Sequence, residues 1–549
     1  MKKIYSFLFS VMLTTLAYSQ TVNLVVDSHE GEAETAPGKM IANSTFMVYA
    51  GNGANTWTAA RSIAGSIYYY DYTDSEVWVS DGTAPNTRML EINATFTVAT
   101  DAEGTEYTQH NSAGFSDQIL FNDKAYFNAN NGEGFHVYYI DGISGDKVMA
   151  LENSWARVLP DQANGIVYLT EGSASPWKTW DGVNLSELVV LPNQYEADGT
   201  TLKVENSSNG ACLLGDKIVF AGSYVDPTLD VIGTELFVYD PAGTDGPQLL
   251  KDIRVGTSSS SPKYFVEHND IVYFMANDGS GTYALWKTDG TSAGTVRVTP
   301  GDAEWTVDVN GQPFLFNSKL YFEGDDDNSA TDALDQLYEY DPAANTLTRI
   351  SGLLDAYKAS LPAPEEVFIN FDPKSFVVLD NTLYFYAKYS FVEGDKTYDS
   401  TTNAIYKLNG TSVELVSESV GFYPVELLAF NGKIYFAGED TELIDNGDGT
   451  FTSSGEELFV YDPNGTPTSI EPVRNQNEID IFPNPSYGHV NVTGFNGETA
   501  EYKLYDLSGQ LVERGMLNND IINYNVSKGV YILKVANGTL SKAMKLIVR

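Results

Sequence analysis

A chain of 549 residues is longer than one hydrophobic core can usefully grow, so a single very large core is excluded and several units or a repeat array are expected. Aromatics make up 13% of it, led by 35 Tyr beside 47 Gly, a vocabulary of short strands and tight turns that points to an all-β fold class. The net charge of −42 disfavours nucleic acid and anionic lipid surfaces and favours cations or cationic partners.

In chain order, Lys2 and Lys3 precede an apolar run from Ile4 to Ala17, and Ala17-Tyr18-Ser19 has small-x-small spacing. Residues 1–19 therefore read as a signal peptide cut before Gln20. No other stretch approaches the roughly eighteen apolar residues of a membrane helix, so no transmembrane segment is expected. Residues 478–549 balance seven acidic against seven basic side chains, and the leader adds two lysines, so the body between them carries −44. The single cysteine, Cys212, rules out an internal disulfide and reads as an inert buried thiol.

An internal repeat organises residues 60 to 470, and 21–58 is expected to supply a strand that closes the array. An apolar strand recurs at 66–69, 124–127, 165–168, 217–220, 271–274, 319–322, 382–385 and 433–436. A second recurs at 77–82, 137–142, 177–182, 236–241, 285–290, 337–342, 405–410 and 458–463. From Asp81 to Asp462 is 381 residues in seven intervals of 40 to 68, near the period of a four-stranded propeller blade. A meander apolar on both faces needs neighbours stacked radially, so residues 20–474 read as an eight-bladed β-propeller. An open solenoid would need polar caps that the first and last repeats lack. The insertions at 389–403 and 439–455 should gather on one rim.

The string Leu285-Trp286-Lys287-Thr288-Asp289-Gly290-Thr291, with Glu235-Leu236-Phe237 and Glu457-Leu458-Phe459 in sister units, resembles the ELWxTDGT-type repeats of secreted bacterial propeller-like proteins. The resemblance covers the central four hundred or so residues and implies a fold and an extracellular setting, without a chemistry.

Repeated Asp81, Asp141, Asp181, Asp240, Asp289, Asp341 and Asp462 stand before Gly or Pro, where aspartate starts a tight turn, and Asn409 takes that place in the seventh unit. The five histidines, His29, His110, His136, His268 and His489, have no zinc-ligand spacing, and no nucleophile elbow or phosphate loop is present. No catalytic or cofactor-binding residue is therefore singled out. Asp325, Asp326 and Asp327 in one loop and Asp445 and Asp448 in another crowd oxygen ligands suited to calcium, though neither fits the helix-loop-helix calcium frame. The composition favours a monomeric binding scaffold that presents loops to glycan or protein ligands. The alternative is a carbohydrate-active hydrolase or lyase, which needs two carboxylates roughly 5–9 Å apart at the central channel.

The last segment, 475–549, alternates strictly and is punctuated by Ser-Gly, Asn-Gly and Lys-Gly turns, as a small Ig-like β-sandwich would. Its pieces run Ile481-Phe482-Pro483-Asn484-Pro485, Gly488, Tyr505-Asp506, Gly509, Gly529, Tyr531 and Lys545. In this order they resemble the type A C-terminal sorting domain of type IX secretion in Bacteroidota-type bacteria. That resemblance implies passage through the periplasm, transport across the outer membrane by the type IX machinery, and removal of the tail near Arg474 to Glu478.

Overall fold

The computed structural model describes residues 21–26, 38–63, 66–102, 104–155, 157–171, 175–187, 204–224, 232–280, 283–298, 312–325, 335–350, 367–393, 396–399, 403–410, 412–416, 419, 423–439, 444–445, 451–452, 456–464, 480–482, 489–493, 500–506, 510–517, 521–524, 526–536 and 541–548. The fold is all-β: among these residues the elements are strands, apart from one short 3-10 turn at Ala84–Asn86.

Among the described residues eight antiparallel sheets of four or five strands, each built on a meander, follow one another along the body, beside two outlying two-stranded ladders. Sheet 1 covers 38–90, sheet 2 116–151, sheet 3 157–187, sheet 4 204–251, sheet 5 263–297, sheet 6 314–349, sheet 7 367–415 and sheet 8 425–462. The middle strands, such as Lys124–Asn130 and Ile271–Ala276, are buried along nearly their whole length, as happens where a sheet is covered on both faces. Sheet 8 has three long strands of its own, and its fourth is Thr21–Val26, antiparallel to Glu456–Asp462 with Thr21 opposite Asp462. The strand expected from 21–58 beside the final repeat is thus residues 21–26.

The first repeat needs correcting. Residues 66–69 are not the second strand of a unit; they belong to the same strand, Ser66–Ser80, that holds the recurring 77–80. Their true counterpart lies in Met47–Ile63, where Met47 faces Ser80 and Ala50 faces Val77, so the array begins at Gly38 rather than at residue 60. The hairpin of sheet 1 runs on well past its sheet, and the extension carries the apolar and aromatic run Ile67-Tyr68-Tyr69-Tyr70, similar to that of a core strand. The insertion of sheet 7 is likewise partly strand, since Lys396–Asp399 pairs with the end of Thr382–Glu393.

No sheet owns a core. Apolar side chains form a cluster between each successive pair, from sheets 1 and 2 through sheets 7 and 8. An eighth cluster, with Val25, Tyr49, Trp78, Tyr435 and Leu458, joins sheet 8 back to sheet 1. Burying each large apolar side chain contributes about 1.5–3 kcal/mol, so the stability of the body resides in these interfaces, as in other repeat arrays.

Antiparallel connectivity sorts the links between strands. Links 1–2 and 3–4 of a meander lie at one end, while link 2–3 and the exit to the next sheet lie at the other. At the first end, Asn122-Asp123, Asn269-Asp270, Asn317-Ser318, Asp380-Asn381 and Asn431-Gly432 all have φ between 48° and 74°. Both central residues are left-handed, as a two-residue type I′ hairpin requires. Neighbouring sheets touch there: Asn43 Nδ2 donates to Asp123 O at 2.8 Å and Asn464 Nδ2 to Asp380 Oδ2 at 3.1 Å. The other end carries the long connections.

In the tail, a three-stranded sheet (Asp480–Phe482, His489–Thr493, Ile521–Asn523) and a four-stranded one (Leu511–Met516, Glu501–Asp506, Gly529–Ala536, Ser541–Val548) share one core. Val490, Val492 and Ile522 from the first sheet meet Leu504, Leu533 and Leu546 from the second.

Candidate functional site

The repeated aspartates are turn formers. Asp289 Oδ1 accepts from Thr291 N at 2.9 Å and from Thr291 Oγ1 at 2.6 Å, and these two bonds hold its carboxyl below the usual range. Asp81 does the same with Thr83. Asp181, Asp240, Asp341 and Asp462 each accept the amide two residues on. Sheets 1 and 5 add a hydroxyl pair beneath the turn, Ser80 with Thr87 at 2.6 Å and Thr288 with Thr295 at 2.7 Å. At Gly294 a Cβ would lie 2.0 Å from an Asp289 carboxylate oxygen, so this position of the repeat has no room for a side chain.

A second set of acids lies five positions before these turns. The buried Glu235 carboxylate accepts from Ile253 N at 2.8 Å, Ser260 N at 2.9 Å and Ser260 Oγ at 2.6 Å, tying down the segment that leaves sheet 4. Glu76 does the same for Ile92 and Asn93, and burial pushes its carboxyl up to about 7. These are anchors of the fold.

Glu323, Asp335 and Asp372 bring carboxylate oxygens within 4.8 Å of one another between sheets 6 and 7 and could hold a metal ion. Burial, then Asp335 and Asp372, drives the Glu323 carboxyl well above the usual carboxylate range. Asp372 Oδ2 also meets Lys374 Nζ at 2.8 Å. The Lys374 ammonium offsets part of this charge.

The first strands of adjoining sheets lie side by side and form a wall, those of sheets 1 and 8 included, except that sheet 6 meets the first strand of sheet 7 through its second and third strands. Five of them carry a β-bulge at matching register, with a non-glycine residue left-handed: Lys39, Asp117, Tyr264, Ser375 and Glu426, at φ 49°, 49°, 59°, 53° and 50°. Gly210 stands near the same level in sheet 4 at φ 110°. Several bulges donate or accept across sheets, as in Leu427 N to Ser375 Oγ at 2.7 Å and Gln312 Nε2 to Phe265 O at 3.1 Å. Sheet 3 has no bulge: Arg157 pairs regularly with Thr170 and its Nε donates to Ser207 O of sheet 4 at 2.8 Å. A cavity of about 340 Å³ opens there, lined by Asp117, Gln118, Arg157, Leu159 and Gly210 among others.

Of the calcium candidates, Asp325 ends the strand Lys319–Asp325 and Asp445 lies in the short ladder Ile444–Asp445, while their side chains and all of Asp326, Asp327 and Asp448 fall outside the described residues. Glu323 and Asp335 flank the first of these loops. Sequence reasoning missed them, along with Asp372, Asp117 and Arg157, because no local motif links residues of different sheets. In the tail, Pro483, Asn484, Pro485, Gly488 and Gly509 also fall outside the described residues. Tyr505 faces Ile532, Asp506 faces Tyr531, Gly529 faces Val548 and Lys545 faces Ile532 across the four-stranded sheet. The Tyr531 hydroxyl donates to Ser527 O at 2.8 Å. Cys212 is half-buried, and burial, then Glu267, pushes its thiol up to about 12.

Residues 480–549 match the family described as a secretion system C-terminal sorting domain. A chain bearing this type IX sorting tail is secreted or displayed at the cell surface, and among the described residues no helix is long and apolar enough to cross a membrane. No curated protein matches the chain. Similar solved structures include an oligogalacturonate lyase from Vibrio parahaemolyticus, with TM-score 0.38 and 10% identity over 68% of this chain and 98% of that one. The β-propeller domain of the Trilobed protease from Pyrococcus furiosus has TM-score 0.36 and 8% identity over 80% and 98%. The GH74 enzyme of Niastella koreensis has TM-score 0.32 and 12% identity over 78% and 72%.

Proposed function

We propose that the body is a closed eight-bladed β-propeller of the ELWxTDGT repeat type. In this reading it works outside the cell as a binding scaffold for glycan or protein ligands and not as a catalyst. The observation that carries it is the division of labour between the two ends of the sheets. One end repeats near-identical two-residue and Asp-centred turns, while the other varies link by link from a few residues to the long hairpin of sheet 1. A rigid frame with variable loops at one end is the arrangement expected of a recognition surface. Hydrolysis of a glycosidic bond needs two carboxyl groups about 5–9 Å apart, whereas the wall cavity is lined by one, Asp117. Screening the exported protein against glycan and protein panels for both binding and turnover tests this. Binding without turnover is expected, and turnover abolished by one carboxylate substitution would establish the enzyme reading instead.

Export follows the same proposal in more detail: residues 1–19 are removed in the periplasm, and the tail is removed near Arg474 to Glu478 after crossing the outer membrane. Deleting 479–549 should leave a folded body trapped in the periplasm. A surface product whose mass still includes Arg549 would count against tail removal.

A further inference from the structure

We propose that the cavity on the wall between the first strands of sheets 2, 3 and 4 is a subsite for a neutral saccharide unit. This rests on the binding reading above and assigns that reading a place and a ligand class.

The argument begins with a break in the repeat. Wherever a first strand bulges, the left-handed residue belongs to a pattern shared around the wall, and a shared pattern is best explained by the frame. Among the described first strands those of sheets 3 and 6 pair without a shift, and that of sheet 3 does so over five residues, Arg157 opposite Thr170 through Asp161 opposite Ile166. Flanking it, Asp117 of sheet 2 is left-handed at φ 49° and Gly210 of sheet 4 at φ 110°. A bulged strand on each side of a regular one leaves the concavity of about 340 Å³, near the small end of the range for ligand sites. It has room for a small molecule and not for a folded partner.

The lining then selects the chemistry. Asp117 supplies carboxylate acceptors, the Gln118 amide both an acceptor and donors, and Arg157 a positive charge whose Nε and Nη2 both donate to Ser207 O. Trp155 Nε1 donates to Asp117 O at 3.0 Å, and Asn128 Nδ2 to Asp117 Oδ2 at 3.0 Å, which fixes the acid in place. Arg157 is fixed by Ser207. Gly210 puts no side chain on the facing wall, so a ligand can come close to the backbone there. One negative and one positive group leave the lining with no net charge, inside a body of −44 that repels polyanions. A ligand whose every polar group both donates and accepts, and which bears no charge, satisfies all of these at once. Vicinal sugar hydroxyls do so, donating to the Asp117 carboxylate and accepting from the Gln118 amide.

The test is calorimetric titration of the purified full chain with neutral gluco-, manno- and xylo-oligosaccharides and with oligouronates. Asp117→Asn, which tolerates the left-handed backbone, and Gln118→Ala are the variants, with melting temperature as the control for folding. The expected result is that a neutral oligosaccharide binds with little dependence on salt. Each variant should weaken it by about tenfold, roughly 1.4 kcal/mol, at unchanged melting temperature. Saccharide binding that neither variant alters would overturn this site while leaving the scaffold reading intact. Binding confined to oligouronates and lost on raising salt would overturn the neutral class. If no saccharide binds, the subsite and the glycan branch of the scaffold reading both fall, and a protein ligand remains for the loop end.

Discussion

The two ends of the sheets are made from the same strands and obey different rules. At the turn end, Asn, Asp and Gly sit in left-handed conformations, neighbouring sheets touch through their turns, and a side chain added to Gly82 would collide with the adjoining sheet. At the other end, links of very different length leave the sheets, yet Glu76 and Glu235 reach from inside to hold the first residues of those links. Tolerance to change is therefore a property of distance from the inter-sheet clusters, not of being a loop.

The largest effect should come from Gly82→Ala. Gly82 has φ +86° and its added Cβ would lie 2.0 Å from the Tyr435 hydroxyl, on a ring that is 3% exposed within the cluster joining sheets 8 and 1. Left-handed strain and overpacking together should cost about 3 kcal/mol or more in urea unfolding, and a cost below about 1 kcal/mol would break the comparison at its rigid end. Glu235→Ala should come next, since it leaves three buried donors without their acceptor at a cost of about 2–3 kcal/mol. That result would sharpen the comparison by placing a rigid point at the variable end.

A smaller effect depends on pH. The Glu76 carboxyl is raised from 4.5 to about 7 by burial, so the folded state holds this proton more tightly than the unfolded chain does. The associated stability is present below about pH 4.5 and is lost as pH rises through about 7. Denaturant midpoints measured across that interval should fall with rising pH, and Glu76→Gln should flatten the fall. The smallest effect belongs to the outlying hairpin Phe96–Thr100 with Glu106–His110, where Phe96 is 59% and Val98 65% exposed. Phe96→Ser and Val98→Thr should each change stability by less than about 0.5 kcal/mol. A larger loss would mean that this hairpin is held by more than its own pairing.

What was legible in the sequence follows the same divide. Turn chemistry is local, so Asp289-Gly290-Thr291 announces its own geometry, and a continuous apolar run such as Ile271-Val272-Tyr273-Phe274 announces a strand buried on both faces. Period and number of units follow from repeating both. The misplaced first unit came from the same rule: residues 66–69 read as the same kind of run but extend a hairpin, and only the pairing of Met47–Ala50 with Val77–Ser80 tells them apart. The wall cavity and the Glu323, Asp335 and Asp372 cluster were not legible, because each gathers residues from different sheets. A bulge is likewise a property of two strands, which is why Asp117 and Glu426 look unremarkable in a one-dimensional text.

The pairing of Thr21–Val26 with Glu456–Asp462 has a consequence in time. The strand that completes the last sheet is among the first parts of the body to be made, and its partner is nearly the last. Sequence separation on this scale makes the contact slow to find, since the chain between must be brought together before the pairing gains anything. Each unit can pack against the one before it as the chain lengthens, but Thr21–Val26 has no partner strand until Glu456–Asp462 is present. A protein bound for export across two membranes thus carries its own timer: the final clasp waits on the segment just ahead of the sorting tail.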